Sequence, residues 1–116
     1  MPAFLSETQD LLAREYPQFE VVWFGHIGDG NLHINVLKPE GAADAEFIVQ
    51  CEHVTKLLAD ALARHGGSIS AEHGIGLVKK PYLLGTRSAE EVALMRGIKR
   101  VLDPKGLMNP GKVFDA

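Results

Sequence analysis

The stretch Phe24-Gly25-His26-Ile27-Gly28-Asp29-Gly30-Asn31-Leu32-His33-Ile34-Asn35 decides how this chain is read. Asp29-Gly30 is a strong hairpin signal, because a type I′ turn needs positive φ at both central positions. With Gly28 and Asn31 flanking the turn, the expected pairing sets Ile27 opposite Leu32 and His26 opposite His33. Directly opposed residues carry Cβ atoms roughly 4.5–5.5 Å apart on one side of a sheet. Two imidazoles so placed can close on one metal ion. Strand alternation puts Asn35 on the same side, with Phe24 across from it. The opposite side collects Trp23, Ile27, Leu32, Ile34 and Val36, a candidate core face. One hairpin would then present a dry face and a chemical face.

Working outward, the chain of 116 residues is long enough for one domain with a single small core, and residues 1–116 are read as that. Its 46% hydrophobic and 23% charged residues are those of an ordinary globular protein. A net charge of −3, with no long run of either sign, argues against a nucleic-acid partner. No apolar stretch approaches the roughly 20 residues that a membrane helix needs. Met1-Pro2-Ala3-Phe4 lacks the basic start of a signal peptide, so the expected location is the cytoplasm. The single Cys51 excludes an intrachain disulfide.

A first helix is expected near Pro2 to Tyr16, with Phe4, Leu5, Leu11 and Leu12 as its contacts and Pro17 as its stop. Strands follow at about Phe19–His26 and Asn31–Leu37, then a turn at Lys38-Pro39-Glu40-Gly41. The clearest helix runs from about Asp44 to His65, where Phe47, Ile48, Cys51, Val54, Leu58, Ala61 and Leu62 recur at helical spacing. Gly66 stands where a C-terminal cap belongs. A short strand, Ser68 to Ala71, is expected next, followed by the glycine-flexed segment Glu72-His73-Gly74-Ile75-Gly76. Ser88-Ala89-Glu90-Glu91 has the form of a capping box. It opens a helix to about Leu102, with Val92, Leu94, Met95, Ile98 and Val101 facing inward and Asp103-Pro104 ending it. The order helix, hairpin, helix, strand, helix predicts an α+β fold, a mostly antiparallel sheet with helices on one face. The other face, carrying His26, His33 and Asn35, is too large to stay bare and needs a cover: another domain, a partner chain, a ligand or a second copy.

The plain reading of His26 and His33 is a pair of hydrogen-bonded surface histidines. Their cross-strand placement and the neighbouring Asn35 favour a site instead. Glu72 is the natural third ligand, since two histidines and one carboxylate leave positions open for water or substrate. A divalent cation held by His26, His33 and Glu72 would act as a Lewis acid on a hydroxyl or carbonyl oxygen. His73 would then take the hydroxyl proton, a task suited to imidazole near neutral pH. The reverse assignment, His73 as ligand and Glu72 as base, is equally consistent with the sequence. Asp29 is explained by its turn, His65 by the C-terminal end of a helix, His53 by solvent and Cys51 by packing. Lys79-Lys80 reads as a solvated charge pair, with an anion contact as the alternative. Gly25 to Gly30 lacks the strand-to-helix setting of a dinucleotide loop, and no His-Glu-x-x-His motif is present.

Three segments resemble one family. They are Gly25-His26-Ile27-Gly28-Asp29-Gly30-Asn31-Leu32-His33, Ser70-Ala71-Glu72-His73-Gly74-Ile75-Gly76, and Leu102-Asp103-Pro104-Lys105-Gly106-Leu107-Met108-Asn109-Pro110-Gly111-Lys112. In this order they are similar to the C-terminal domain of FAD-linked oxidases of the vanillyl-alcohol oxidase superfamily, in the branch of D-lactate, glycolate and D-2-hydroxyglutarate dehydrogenases. The resemblance implies a ferredoxin-like half of that domain. It implies a divalent metal, often zinc, on the positions of His26, His33 and Glu72, while the ligand types themselves also admit manganese. It implies a base or substrate contact at His73, a substrate contact at Asn35, and a place beside the flavin for Asn109. The implied reaction oxidises a small 2-hydroxy acid to a 2-keto acid, with hydride passing to FAD. The family's FAD-binding domain has no counterpart within these residues, so an FAD-binding domain or subunit is the expected partner. A noncatalytic metal-binding module, self-associating as a homodimer through its exposed sheet, is the alternative.

Overall fold

A computed structural model describes residues 1–115 and divides into two compact units, Met1–His65 and the remainder from Gly66 onward. The architecture is α+β, with one two-stranded antiparallel sheet.

The first unit runs α1 (Pro2–Glu15), β1 (Glu20–His26), β2 (Asn31–Leu37) and α2 (Asp44–Arg64). Pro2 sits in the first turn of α1, where the missing N–H costs nothing. Thr8 is fully buried, and its hydroxyl donates back to the carbonyls of Phe4 (2.8 Å) and Leu5 (3.1 Å). Leu12 of α1, Phe19 and Val54 of α2 form the core, with Val21, Trp23, Ile34 and Val36 packed on it from one side of the sheet. Tyr16 stacks on Phe19 at 5.0 Å, and Phe47 meets Phe19 edge-on at 5.6 Å. Helices therefore cover one face of the sheet, as the alternation in the sequence requires. Gly66 adopts φ 67° after α2, the left-handed conformation expected of a residue that ends a helix. Where α1 meets the end of α2, Glu7 takes a bond from Arg64 Nε at 3.1 Å and lies 2.5 Å from His65 Nε2. These two partners hold its carboxyl below the ordinary value.

The hairpin differs from expectation by two residues. His26 pairs with Asn31, and His33 pairs with Phe24. Ile27–Asp29 form a single 3-10 turn closed by Gly30 at φ 67°, whose N–H bonds the Ile27 carbonyl at 3.2 Å. Only Gly30 takes positive φ, so the loop has four residues rather than the two of a type I′ turn. A slip of two preserves which side each strand residue faces, whereas a slip of one would have exchanged the sides. Trp23, Ile34 and Val36 are thus on the core side as expected, but Ile27 has left the sheet and is 85% exposed.

The second unit contains a 3-10 turn (Lys80–Tyr82), a one-turn helix α3 (Leu83–Thr86) and α4 (Ala89–Leu102). The strand expected at Ser68–Ala71 is a turn. Ala71 takes φ 46°, and the His73 N–H bonds the Ser70 carbonyl at 2.7 Å, so the segment satisfies its backbone locally. The capping box at α4 forms as expected: Glu91 N–H donates to Ser88 Oγ (3.1 Å), and Ser88 N–H donates to the Glu91 carboxylate (2.8 Å). Only Val92 of its apolar residues is buried; Leu94, Ile98 and Val101, expected inside, are exposed. After α4, Asp103 accepts from Lys99 Nζ (2.7 Å) and from the backbone amides of Leu107 and Met108 (both 2.9 Å). The Lys99 bond first, then these amides, pull its carboxyl from 3.8 down to about 2. Among the described residues no helix is long and apolar enough to cross a membrane.

Candidate functional site

The candidate residues fall in two groups, one in each unit. In the first unit the outer side of the hairpin carries Val22, Phe24 and His26 from β1 and Asn31, His33 and Asn35 from β2. His26 and Asn35 are exposed and His33 is half-buried. His26 and His33 are not opposed but diagonal, one pair apart, where sheet geometry sets Cα atoms roughly 7–8 Å apart. Two imidazoles at that spacing can still converge on one ion, since each side chain spans several ångströms and a Zn–N bond adds roughly 2.0–2.1 Å. Phe24 is opposite His33 rather than Asn35, and their rings stack at 4.9 Å and 5°. The stack covers one face of the His33 ring and fixes its plane. Asn35 stands across from Val22, further down the same side.

Gly25 is the reason the strands approach so closely here. A Cβ at that position would lie 2.2 Å from the Asn31 carbonyl oxygen and 3.0 Å from the Leu32 Cα. The close pairing holds His26 beside Asn31 at the end of the ladder.

In the second unit, two segments separated in sequence are bound together. Glu72 and His73 follow the left-handed Ala71, both exposed, with the His73 Nε2 and Glu72 Oε1 atoms 3.6 Å apart. Adjacent residues of an extended strand would point to opposite sides; the turn at Ala71 lets both side chains serve one place. Just beyond, the Gly76 carbonyl accepts from the Val113 N–H at 2.6 Å. Lys80 Nζ donates to the Gly111 carbonyl (2.9 Å) and to the Asp115 carboxylate (2.7 Å). Lys80 is therefore a tether between the Glu72-His73 segment and the tail, not the solvated charge its sequence setting indicated. Arg96 adds a bond to the Asp115 carbonyl (2.8 Å) and sits over the Phe114 ring at 5.8 Å.

The tail forms a groove of about 420 Å³, bounded by Lys99, Met108, Asn109, Lys112 and Phe114. Asn109 (φ 47°) and Val113 (φ 68°) both take left-handed backbone there. For a β-branched residue such as Val113 this is a costly conformation, of the kind that persists where function or surrounding contacts demand it. No local sequence signal marks Val113, and the sequence reading missed it. The remaining titratable candidates have structural roles. His53 Nδ1 lies 2.5 Å from Tyr16 Oη, His65 meets Glu7, and burial in α2 pushes the Cys51 thiol up.

An α+β chain that presents a two-histidine hairpin face and a tethered Glu-His turn belongs to the family FAD linked oxidases, C-terminal domain, whose model matches residues 1–113. Its relatives are D-2-hydroxy-acid dehydrogenases. It is 72% identical over 115 residues to the D-2-hydroxyglutarate dehydrogenase of Xanthomonas citri pv. viticola, covering 99% of this chain and 24% of that protein. It is 50% identical over 116 residues to the D-2-hydroxyglutarate dehydrogenase of Stutzerimonas stutzeri, covering 100% of this chain and 25% of that one. The mitochondrial D-2-hydroxyglutarate dehydrogenase of Danio rerio is 45% identical over 94 residues, 81% of this chain and 17% of its own. The chain thus spans about a quarter or less of the length of these relatives.

Proposed function

We propose that the chain is the C-terminal, substrate-facing portion of an FAD-dependent dehydrogenase that oxidises a D-2-hydroxy acid to the 2-keto acid. D-2-hydroxyglutarate is the first substrate to test, because the relatives carry that name. The observation that carries the proposal is the hairpin: a family-matched segment with two histidines and an asparagine on one exposed side and a closed core on the other.

In this reading His26, His33 and Glu72 hold a divalent cation, zinc or manganese. The donor set fits: two imidazoles share a sheet side at a diagonal spacing, and imidazole with carboxylate suits either ion. When bound, the cation would polarise the substrate hydroxyl as a Lewis acid. Asn35, exposed on the same side, donates its amide to the substrate. His73 takes the hydroxyl proton. FAD, when bound, would accept the C2 hydrogen as hydride, so one proton and one hydride would account for the two hydrogens lost. Asn109, held in left-handed backbone at the rim of the tail groove, would lie beside the flavin. The FAD-binding domain or subunit is the partner that completes this site.

The test joins this chain to the upstream part of the Xanthomonas citri relative, in place of that protein's own matching segment, and follows an artificial electron acceptor with D-2-hydroxyglutarate as substrate. The fused protein turns over, and His73→Ala lowers kcat by roughly 100-fold or more, the usual scale of a lost general base. A fused protein holding FAD whose kcat is indifferent to His73→Ala would remove His73 from the chemistry.

A further inference from the structure

We infer that the outward apolar face of α4 is the docking surface for the flavin-bearing polypeptide, with Gly97 as the point where the two backbones come closest. This rests on the function proposed above. α4 turns apolar side chains in two opposite directions. Val92 on the inward side is 1% exposed, whereas Leu94, Ile98, Val101 and Leu102 on the other side are 67%, 53%, 80% and 76% exposed. Their spacing of four, three and one residues makes one continuous stripe along the helix. A helix that is apolar on both sides belongs in the interior of a larger assembly, and a contiguous exposed apolar surface marks a contact site.

Gly97 supplies an independent observation. It lies on the stripe between Leu94 and Val101, one turn from each. Glycine inside a helix is less stable than alanine, so its presence calls for a cause. Its φ is not left-handed, and a Cβ added there would meet nothing within 4 Å. Among the described residues nothing requires glycine at this position. A surface pressed against the helix backbone would require it.

The occupant follows from what adjoins the stripe. Past the helix, the exposed Leu107 and Met108 are held to its C-terminal end by their backbone amides, which donate to Asp103, and Met108 borders the groove that carries Asn109. Under the proposed function the flavin lies at that rim. The relatives carry about three quarters of their length outside the segment matched here. The polypeptide that brings the flavin to Asn109 is therefore the one placed to cover α4.

The test compares one substitution in two settings. Gly97→Ala and, separately, Ile98→Asp are made in the 116-residue chain alone and in the chain fused to the upstream part of the Xanthomonas citri relative. Alone, Gly97→Ala raises Tm slightly and Ile98→Asp leaves it unchanged. In the fused protein both lower Tm, by roughly five degrees or more, and Ile98→Asp releases FAD, read as a rise in flavin fluorescence. Shifts of the same sign and size in both settings overturn the inference. If the short chain gives no cooperative melt, Ile98→Cys in a Cys51→Ser background reads the same contact. A thiol reagent must then label the folded fused protein at least about tenfold more slowly than the urea-unfolded one, and equal rates overturn the inference. A short chain that dimerises through Ile98, with a fused protein indifferent to both substitutions, assigns the stripe to a second copy and also overturns it. Loss of metal binding or of the His73 effect would instead contradict the proposed function, and leaves these stability shifts unaltered.

Discussion

Gly25→Ala should cost the hairpin about 3 kcal/mol, and the figure follows from the backbone around it. The new Cβ would sit 2.2 Å from the Asn31 carbonyl oxygen, 3.0 Å from its carbon and 3.0 Å from the Leu32 Cα. All three are backbone atoms of the paired strand, so no side chain can swing aside. Reaching an ordinary C···O separation of roughly 3.3 Å needs a shift of roughly 1 Å. That shift takes an N–H···O bond out of range. Gly25 pairs with Leu32, next to the last pair before the loop, so on the order of two ladder bonds are lost at roughly 1 kcal/mol each. Residual strain adds roughly another 1 kcal/mol. Urea unfolding monitored by Trp23 fluorescence measures the change. Gly28→Ala is the control, because a Cβ there meets nothing within 4 Å and its φ is not left-handed; it should change stability by less than about 0.5 kcal/mol. Equal midpoints for the two variants would show that the strands do not approach as described.

Three further outcomes follow from local contacts. Ser88→Ala removes one half of the capping box and should destabilise the second unit by about 1 kcal/mol, read by urea unfolding followed by far-UV circular dichroism. Asp103 has a folded carboxyl value near 2, below its ordinary 3.8, so the stability it contributes is complete above about pH 4 and is lost as pH falls toward 2. Asp103→Asn should therefore flatten the acid-side loss of stability over that window, and a variant that titrates like the wild type would contradict the assigned bonds. Lys80→Met breaks the ties to Gly111 and Asp115, so amide exchange at residues 111–115 should quicken while α4 keeps its protection.

How much of this could be read from residues alone depended on how local the cause was. Ser88 and Glu91 announce their capping box because both partners lie within one turn, and it forms with both bonds in place. Alternation in β1 and β2 separated core from surface correctly, since the period of two survives any even slip in register. The register itself was missed. Asp29-Gly30 favours a two-residue turn in isolation, but the chain uses Gly30 alone as the left-handed closure of a four-residue loop. That choice moved Phe24 onto His33 and left the two histidines diagonal. The turn at Ala71 was also hidden, because alanine carries no signal for positive φ. α4 shows a different limit. Periodicity places Leu94, Ile98 and Val101 on one side of a helix, but it cannot say whether the covering surface lies within the 116 residues. The three motifs of the site were legible as a family resemblance, and the match over residues 1–113 agrees with it.

The claim that the outer side of the hairpin holds a cation is tested most directly by titrating zinc into the metal-free chain by calorimetry, with manganese in parallel. The account predicts one ion per chain, with affinity falling by roughly 10-fold or more in each of His26→Ala, His33→Ala and Glu72→Ala. His53→Ala, which removes a histidine bonded to Tyr16, should bind as the wild type does. Binding that survives the loss of both His26 and His33 would contradict the account.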